Sequence, residues 1–244
     1  MLHLSAMQRR FALLAGVLLL GGCSLHPPAP TDASLDEVPP PRPAAQSLRC
    51  IAHPSITMWE SRMRGHHLTR RETRESLARG APYLPDMRDI LSDAGLPPSL
   101  AFLPVVESNF YRQARGHLDE LGLWQLRPDT ARRFGLHVGA QRDDRLDPAR
   151  STRAAARYLR FLHARYRDWP LALAAYNAGE RRVDHALARQ PHATFWQLAE
   201  SRRLPRTSRE YVPRFLAVVR FVEGAERCAP PTSLARADVG IGRP

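Results

Sequence analysis

The segment Pro170-Leu171-Ala172-Leu173-Ala174-Ala175-Tyr176-Asn177-Ala178-Gly179 constrains the fold more than any other stretch of the chain. Pro170 suits the first turn of a helix, where its missing N–H costs nothing, and Gly179 suits the end. From Leu171 to Tyr176 every side of such a helix is apolar. A helix without a polar face has to be surrounded, so this one belongs at the centre of a domain. The segments around it also carry helical spacing. Ser151 is placed to cap a long helix in which Ala155, Tyr158, Leu162 and Tyr166 recur at spacings of three and four. Tyr211 to Val222 is expected to form the last helix, with Val212, Phe215, Leu216 and Val219 on one face. Met58 to Ala78 reads as a polar, Arg-rich helix ending at Gly80, and Asp86 to Ala94 as a helix stopped by Gly95 and Pro97. Ser99 to Ser108 reads as another, and Pro128 opens a short one that ends at Gly135. Only Leu118 to Gln125 or Leu136 to Gln141 has the makings of a short β ribbon. The expected class is all-α.

Against that helical background, Glu107 stands out. It ends the apolar run Leu103-Pro104-Val105-Val106. A carboxylate there must be exposed, paired or protonated, because burial disfavours the charged form. A Glu that keeps its proton near neutral pH can serve as general acid on an acetal such as a glycosidic bond. The plainer alternative is a structural Glu paired with one of the many arginines. Glycosidases usually need two carboxylates, yet the other acids here lie in polar, Arg-studded stretches. Such a site suits a reaction in which one carboxyl does both jobs. In Gly122-Leu123-Trp124-Gln125, Gly122 allows close backbone approach, Trp124 reads as core, and Gln125 offers an amide to a sugar. Tyr176 and Asn177 end the apolar helix, where their polar tips need partners in a ligand or in the neighbouring turn. The His residues are scattered, and His66-His67 followed by Glu72 lacks a ligand spacing. No metal and no cofactor are expected.

The first residues read as an export signal. Arg9-Arg10 precede the apolar stretch Phe11 to Leu20, which is too short to span a bilayer comfortably, and Leu20-Gly21-Gly22-Cys23 follows. From Ser24 to Ser47 the chain is rich in Pro and poor in large apolar residues, so it cannot bury enough surface to fold. Extended at about 3.1 Å per residue, such a tether reaches on the order of 70 Å. The formal net charge is +12, and every basic residue is Arg, with no Lys at all. Export argues against nucleic acid as the partner of this charge. Cys50 and Cys228, near the two ends of the folded region, are either a disulfide or two free thiols.

Taken in order, Glu107-Ser108, Gly122-Leu123-Trp124-Gln125 and Ala174-Ala175-Tyr176-Asn177-Ala178-Gly179 resemble the soluble-lytic-transglycosylase family of peptidoglycan-cleaving enzymes. Within it they look like the membrane-bound lytic murein transglycosylase D branch. Asp144-Arg145-Leu146-Asp147-Pro148, Ser151-Thr152 with Ala154-Ala155, and Tyr158-Leu159 add to the likeness, which runs from about Trp59 to about Val222. The resemblance implies a lysozyme-like helical domain with at most a short β ribbon. It implies Glu107 as the catalytic residue and Gln125, Tyr176, Asn177 and Tyr211 as substrate-binding residues, Tyr211 matching a late Tyr whose hydroxyl approaches the catalytic carboxyl. The implied reaction breaks the bond between N-acetylmuramic acid and N-acetylglucosamine without water and leaves a 1,6-anhydro end.

Gly22-Cys23 with its small neighbours resembles the bacterial lipoprotein cleavage box, which makes Cys23 the lipidation site, and Ser24 after it favours the outer membrane. The expected organisation is a signal peptide over 1–22, a lipid-anchored tether over 23–49, a catalytic domain over 50–228 and a disordered tail over 229–244. The expected partners are peptidoglycan glycan strands and, through the anchor, the outer membrane, with a monomer in the periplasm. The chain departs from the family pattern at four places. Gly116 stands where a substrate-contacting Ser is usual, Asp119-Glu120 replace a pair of small residues, Arg127 replaces a Met, and Thr207-Ser208 replace a Glu-Thr pair. Two rival readings follow: a muramidase that admits water with Asp119 or Glu120 as base, and a wall-binding lipoprotein whose catalysis has decayed.

Overall fold

The computed structural model describes residues 47–224 and Cys228. The expected signal peptide, Cys23, most of the tether and the tail over 229–244 lie outside the described residues. A 3-10 turn, Leu48–Cys50, comes first, followed by helices α1 (Pro54–Gly65), α2 (His67–Gly80) and α3 (Leu84–Asp93). A 3-10 turn at Pro98–Phe102 leads into the single-turn helix α4 (Pro104–Glu107). Helix α5 (Pro128–Arg133), a 3-10 turn at Asp144–Leu146, α6 (Pro148–Tyr166), α7 (Trp169–Ala178), α8 (Glu180–Arg189), α9 (Phe195–Glu200) and α10 (Arg206–Glu223) complete the order. Among the described residues there is no strand, only isolated antiparallel bridges joining Arg115 to Leu121, Leu121 to Leu126, and Val138 to Asp143. The fold is all-α, and the two candidate ribbons shrink to these bridges.

Helix α7 is the centre. Every residue from Trp169 to Ala175 is buried, and α6, α8, α9 and α10 all pack on it. The core continues through the fully buried Trp124, Phe102, Phe134, Phe195 and Phe215. Helix α10 lies along α1 and also touches α4, which places the end of one apolar face beside Glu107. Cys50 and Cys228 are joined as a disulfide with their Cα atoms 5.4 Å apart, closing a sequence separation of 178. Leu48 is fully buried and Arg220 of α10 donates to the Arg49 carbonyl at 3.0 Å, so the packed region starts ahead of Cys50, the expected edge of the tether. Among the described residues no helix is long and apolar enough to cross a membrane.

Several expected elements differ in their limits. The helix expected from Met58 to Ala78 is two, α1 and α2, because Gly65 is a weak helix former and His66 is extended, its ring accepting from the Thr69 N–H to start α2. Pro104 has no N–H to carry the turn at Ser99 onward, so that stretch is a 3-10 turn followed by one α turn. The long helix is capped by Asp147, whose carboxylate accepts from the Arg150 N–H at 2.7 Å, and Ser151 is buried one turn inside it. Helix α10 begins at Arg206 rather than Tyr211, supported by the Arg206–Glu210 pair at 2.9 Å. Helices α8 and α9 were not expected, although Thr194 and Gln197 form a complete capping box in front of α9.

Candidate active site

Glu107 ends a helix of one turn, and the chain then reverses through Asn109 and Phe110, both at positive φ. Leu103 and Val105 on the same turn are buried, so the carboxyl is held against the core with little backbone freedom. Its Oε1 accepts a hydrogen bond from the Tyr211 hydroxyl at 2.5 Å, across a separation of 104 residues. No cation pairs with Glu107 among the described residues. Burial pushes its pKa up to about 7, the Tyr211 hydrogen bond pulls it down, and the nearby charge of Glu120 pushes it up again. The carboxyl therefore sits at the midpoint of its titration near neutral pH. Burial, and then the charge of Glu107, push the phenols of Tyr176 and Tyr211 well above their ordinary range, so both remain protonated donors.

A cleft of about 250 Å³ opens onto this carboxyl, lined by Glu107, Gly116, His117, Glu120, Gln125, Arg127, Tyr176 and Asn177. The Gly122–Gln125 loop forms one wall, and side chains from several elements hold it and the adjoining Leu126 in place. Ser108 donates to the Leu123 carbonyl at 2.8 Å, Tyr176 donates to the Trp124 carbonyl at 2.8 Å, and buried Arg145 donates to the Leu126 carbonyl at 3.1 Å. Trp124 is fully buried and donates its indole N–H to Thr152 on α6 at 2.9 Å. Gly122 has φ 81, and a Cβ there would run into the Arg145 carbonyl oxygen, so only glycine fits.

The two amides in the cleft are oriented oppositely. Gln125, itself at φ 46, donates through Nε2 to the carbonyls of Ala114 at 3.0 Å and Gly122 at 2.8 Å. Its Oε1 is left to accept from a ligand. Asn177 accepts on Oδ1 from Ser208 at 2.8 Å, which leaves its Nδ2 to donate. The pair thus offers one acceptor and one donor, the complement of a sugar hydroxyl or an N-acetyl group. Tyr176 spends its hydroxyl on the loop and presents its ring to the cleft, packed against Tyr158 with the rings tilted by 35° and their centroids 5.3 Å apart.

Of the expected site residues, Glu107, Gln125, Tyr176 and Asn177 line one cleft, and Tyr211 reaches Glu107 from behind. The disulfide lies elsewhere, at the junction of Leu48–Cys50 with the end of α10. Glu120 lines the cleft and Asp119 does not; Asp119 is exposed and lends only its backbone carbonyl to Arg145. A side chain at Gly116 would collide with the Glu120 carboxyl, so the two departures from the family pattern occupy one space. Glu120 is held there by the Leu118 N–H at 2.8 Å. Ser208, one of the departures from the family pattern, is buried behind Asn177 and orients its amide, a role its sequence position alone does not reveal; His117 lines the cleft and belongs to no pattern that marks it. Among the described residues no group of three His, Cys, Asp or Glu side chains could hold a metal ion.

Residues 90–199 match the family described as the Transglycosylase SLT domain. Over 167 residues, 65% of this chain, the sequence is 34% identical to membrane-bound lytic murein transglycosylase D of Escherichia coli, and it covers 36% of that protein. It is 38% identical over 132 residues, 54% of this chain and 63% of the other, to a tributyltin chloride resistance protein of Alteromonas sp.. The lytic transglycosylase Slt of Pseudomonas aeruginosa, solved by X-ray as an inactive Glu-to-Gln mutant, is similar with a TM-score of 0.50 and 27% identity over 59% of this chain and 24% of that one. This chain therefore spans about a third of the length of the Escherichia coli relative, 36%.

Proposed function

We propose, from the match of residues 90–199 to the Transglycosylase SLT domain, that the chain is a lytic transglycosylase acting on peptidoglycan. The bond broken is the β-1,4 link between N-acetylmuramic acid and N-acetylglucosamine. Glu107 gives its proton to the glycosidic oxygen as the bond to the anomeric carbon breaks. The muramoyl N-acetyl oxygen supports the positive carbon. The 6-hydroxyl of the same sugar then closes on it, and Glu107, now a carboxylate, takes the hydroxyl proton. Water is not consumed, and the product is a 1,6-anhydromuramoyl end. The observation that carries this reading is the environment of Glu107: burial raises its pKa to about 7, so it can give a proton, while the Tyr211 hydroxyl stands ready to stabilise the anion that results. Gln125 and Asn177 would orient the N-acetyl and hydroxyl groups, and the Tyr176 ring would carry the sugar face.

Digestion of purified peptidoglycan, followed by mass spectrometry of the new sugar ends, tests the proposal. Anhydro ends that disappear in Glu107→Gln are the expected result. Reducing ends would favour a second reading, hydrolysis with Glu120 as base, which rests on the presence of that carboxyl in the same cleft. Binding without cleavage would sink both.

We place the protein in the periplasm, anchored through lipid on Cys23 to the outer membrane, the Pro-rich segment giving the catalytic domain reach toward the wall. The export pattern at residues 9–23 supports this. Labelled fatty acid should enter the wild-type chain and not Cys23→Ala, and the label should fractionate with outer membrane.

A further inference from the structure

We propose that an arginine-lined groove beside the Glu107 cleft binds the acidic peptide carried by the muramoyl sugar of the strand in the cleft. The groove has a volume of about 820 Å³, and Arg127, Arg181, Arg182, Arg202 and Arg203 line it together with His185. Arg127 lines the Glu107 cleft as well. A passage of about 160 Å³ joins the two, sharing Gln125, Tyr176 and Asn177 with the cleft and Gly179 and Arg182 with the groove. A strand seated at Glu107 would thus have the groove as its neighbour.

The charge of the groove is uncompensated. Its one acid, Glu180, is already engaged by Arg133 at 3.0 Å and by the Tyr158 hydroxyl at 3.3 Å. None of the five arginines makes an ion pair among the described residues; Arg182 gives one N–H to the Ala178 carbonyl at 2.8 Å. The chain is rich in Arg throughout, yet other arginines of the same helical region are paired, Arg165 with Asp184 at 2.9 Å and Arg206 with Glu210 at 2.9 Å. Clustered like charges repel, and with no acid paired to them their screening falls to solvent and salt. An anion with several carboxylates relieves that repulsion and can take bidentate hydrogen bonds from the guanidinium forks.

The groove is also partly preorganised. Arg202 sits in the left-handed region with φ 55, and the N–H groups of Arg202 and Arg203 close the end of α9 on the carbonyls of Ala199 at 3.2 Å and Leu198 at 3.0 Å. The first turn of α8, Glu180 to Arg182, faces the groove and adds the positive end of its dipole. Peptidoglycan supplies the matching ligand, since the peptide on its muramoyl lactyl group carries free carboxylates. That choice of ligand rests on the proposed function.

The test uses the full chain and a triple variant, Arg181→Gln with Arg202→Gln and Arg203→Gln, which leaves the Glu107 cleft untouched. Two substrates are compared: strands with their peptides, and strands stripped of them by an amidase. The triple variant should lose about tenfold in kcat/KM on peptide-bearing strands and lose nothing on stripped ones, and added salt should erase the difference in the wild type. An equal loss on both substrates, or on neither, overturns the proposal.

A second measurement does not depend on cleavage. The released acidic peptide, titrated calorimetrically into Glu107→Gln, should bind at least tenfold more tightly than to the same protein carrying the triple substitution. Failure of cleavage on every substrate with peptide binding intact would remove the proposed function and keep the groove as a peptide site. The reverse would remove the groove alone. Loss of binding to phosphatidylglycerol vesicles in the triple variant, with peptide binding unchanged, would assign the groove to a lipid surface and overturn the proposal.

Discussion

Glu107 and Asp144 are both withdrawn from solvent, yet their surroundings drive them in opposite directions. Glu107 meets apolar walls, one phenol and no cation, and its pKa rises to about 7. Asp144 accepts from Arg142 at 2.8 Å, from Arg150 at 2.9 Å and from the His137 N–H at 3.1 Å, and these hold its carboxyl well below the usual carboxylate range. Desolvation opposes the charged form in both; what differs is whether anything nearby favours it. One carboxyl is poised to change its protonation state, and the other is built never to. The first is the acid of the proposed reaction; the second anchors the loops beside it, since neighbouring Arg145 holds the Asp119 and Leu126 carbonyls.

The largest expected effect breaks the comparison at Glu107. Glu107→Gln should lower the cleavage rate on the order of a thousandfold, the range of a lost general acid, without unfolding the domain. Release of anhydro sugars, with circular dichroism as control, measures it. The same variant should show a stability effect whose sign follows from the raised pKa. Between the unfolded value of about 4.3 and the folded value of about 7, the native state holds more protons than the unfolded chain. Wild-type stability is then fully present at low pH and falls as pH rises through about 7. Glu107→Gln removes that slope, so relative to wild type it should gain roughly 3 kcal/mol between pH 4 and pH 8 in urea unfolding. Equal pH slopes in the two proteins would mean that Glu107 titrates normally.

Asp144→Asn tests the other side. Stripping the charged acceptor from two guanidinium groups and a backbone N–H should cost about 2 kcal/mol, read from the urea midpoint, while the pH profile of cleavage stays where it is. A moved profile with unchanged stability would reverse the assignment of roles. Tyr211→Phe should lower cleavage by about tenfold and move the alkaline limb of the profile up, because the lost hydrogen bond favoured the charged form of Glu107. The smallest effect belongs to Glu120→Gln, which removes a nearby negative charge and should move the same limb down by a few tenths of a pH unit. A Glu120→Gln protein with no cleavage at all would make Glu120 a partner in the chemistry.

Local patterns that were legible in the sequence are those in which the physics is itself local. The central position of α7 follows from a run that is apolar on all sides, and the oddity of Glu107 follows from four apolar residues before it. Helix limits were harder, because caps such as His66 and Asp147 compete with better-known signals nearby. Helix α8 rests its apolar side on α7, a contact that only the folded chain supplies, whereas the Thr194–Gln197 capping box ahead of α9 is a local signal that the sequence does carry.

By itself, then, the sequence determined an all-α chain with one stranded carboxylate, a loop that needs Gly122, and an amide-bearing helix end at Asn177. Only the tertiary structure decided which polar groups are spent and which remain. Tyr211 meets Glu107 across 104 residues, Tyr176 gives its hydroxyl to the Trp124 carbonyl, and Gln125 and Asn177 come to face the cleft with opposite polarity. It also decided that Glu120, and not Asp119, enters the cleft, in space that Gly116 leaves free. The physical reason is the same in each case. Burial and hydrogen bonding act through atoms a few ångströms apart in space, and the chain places those atoms side by side only after its helices have packed.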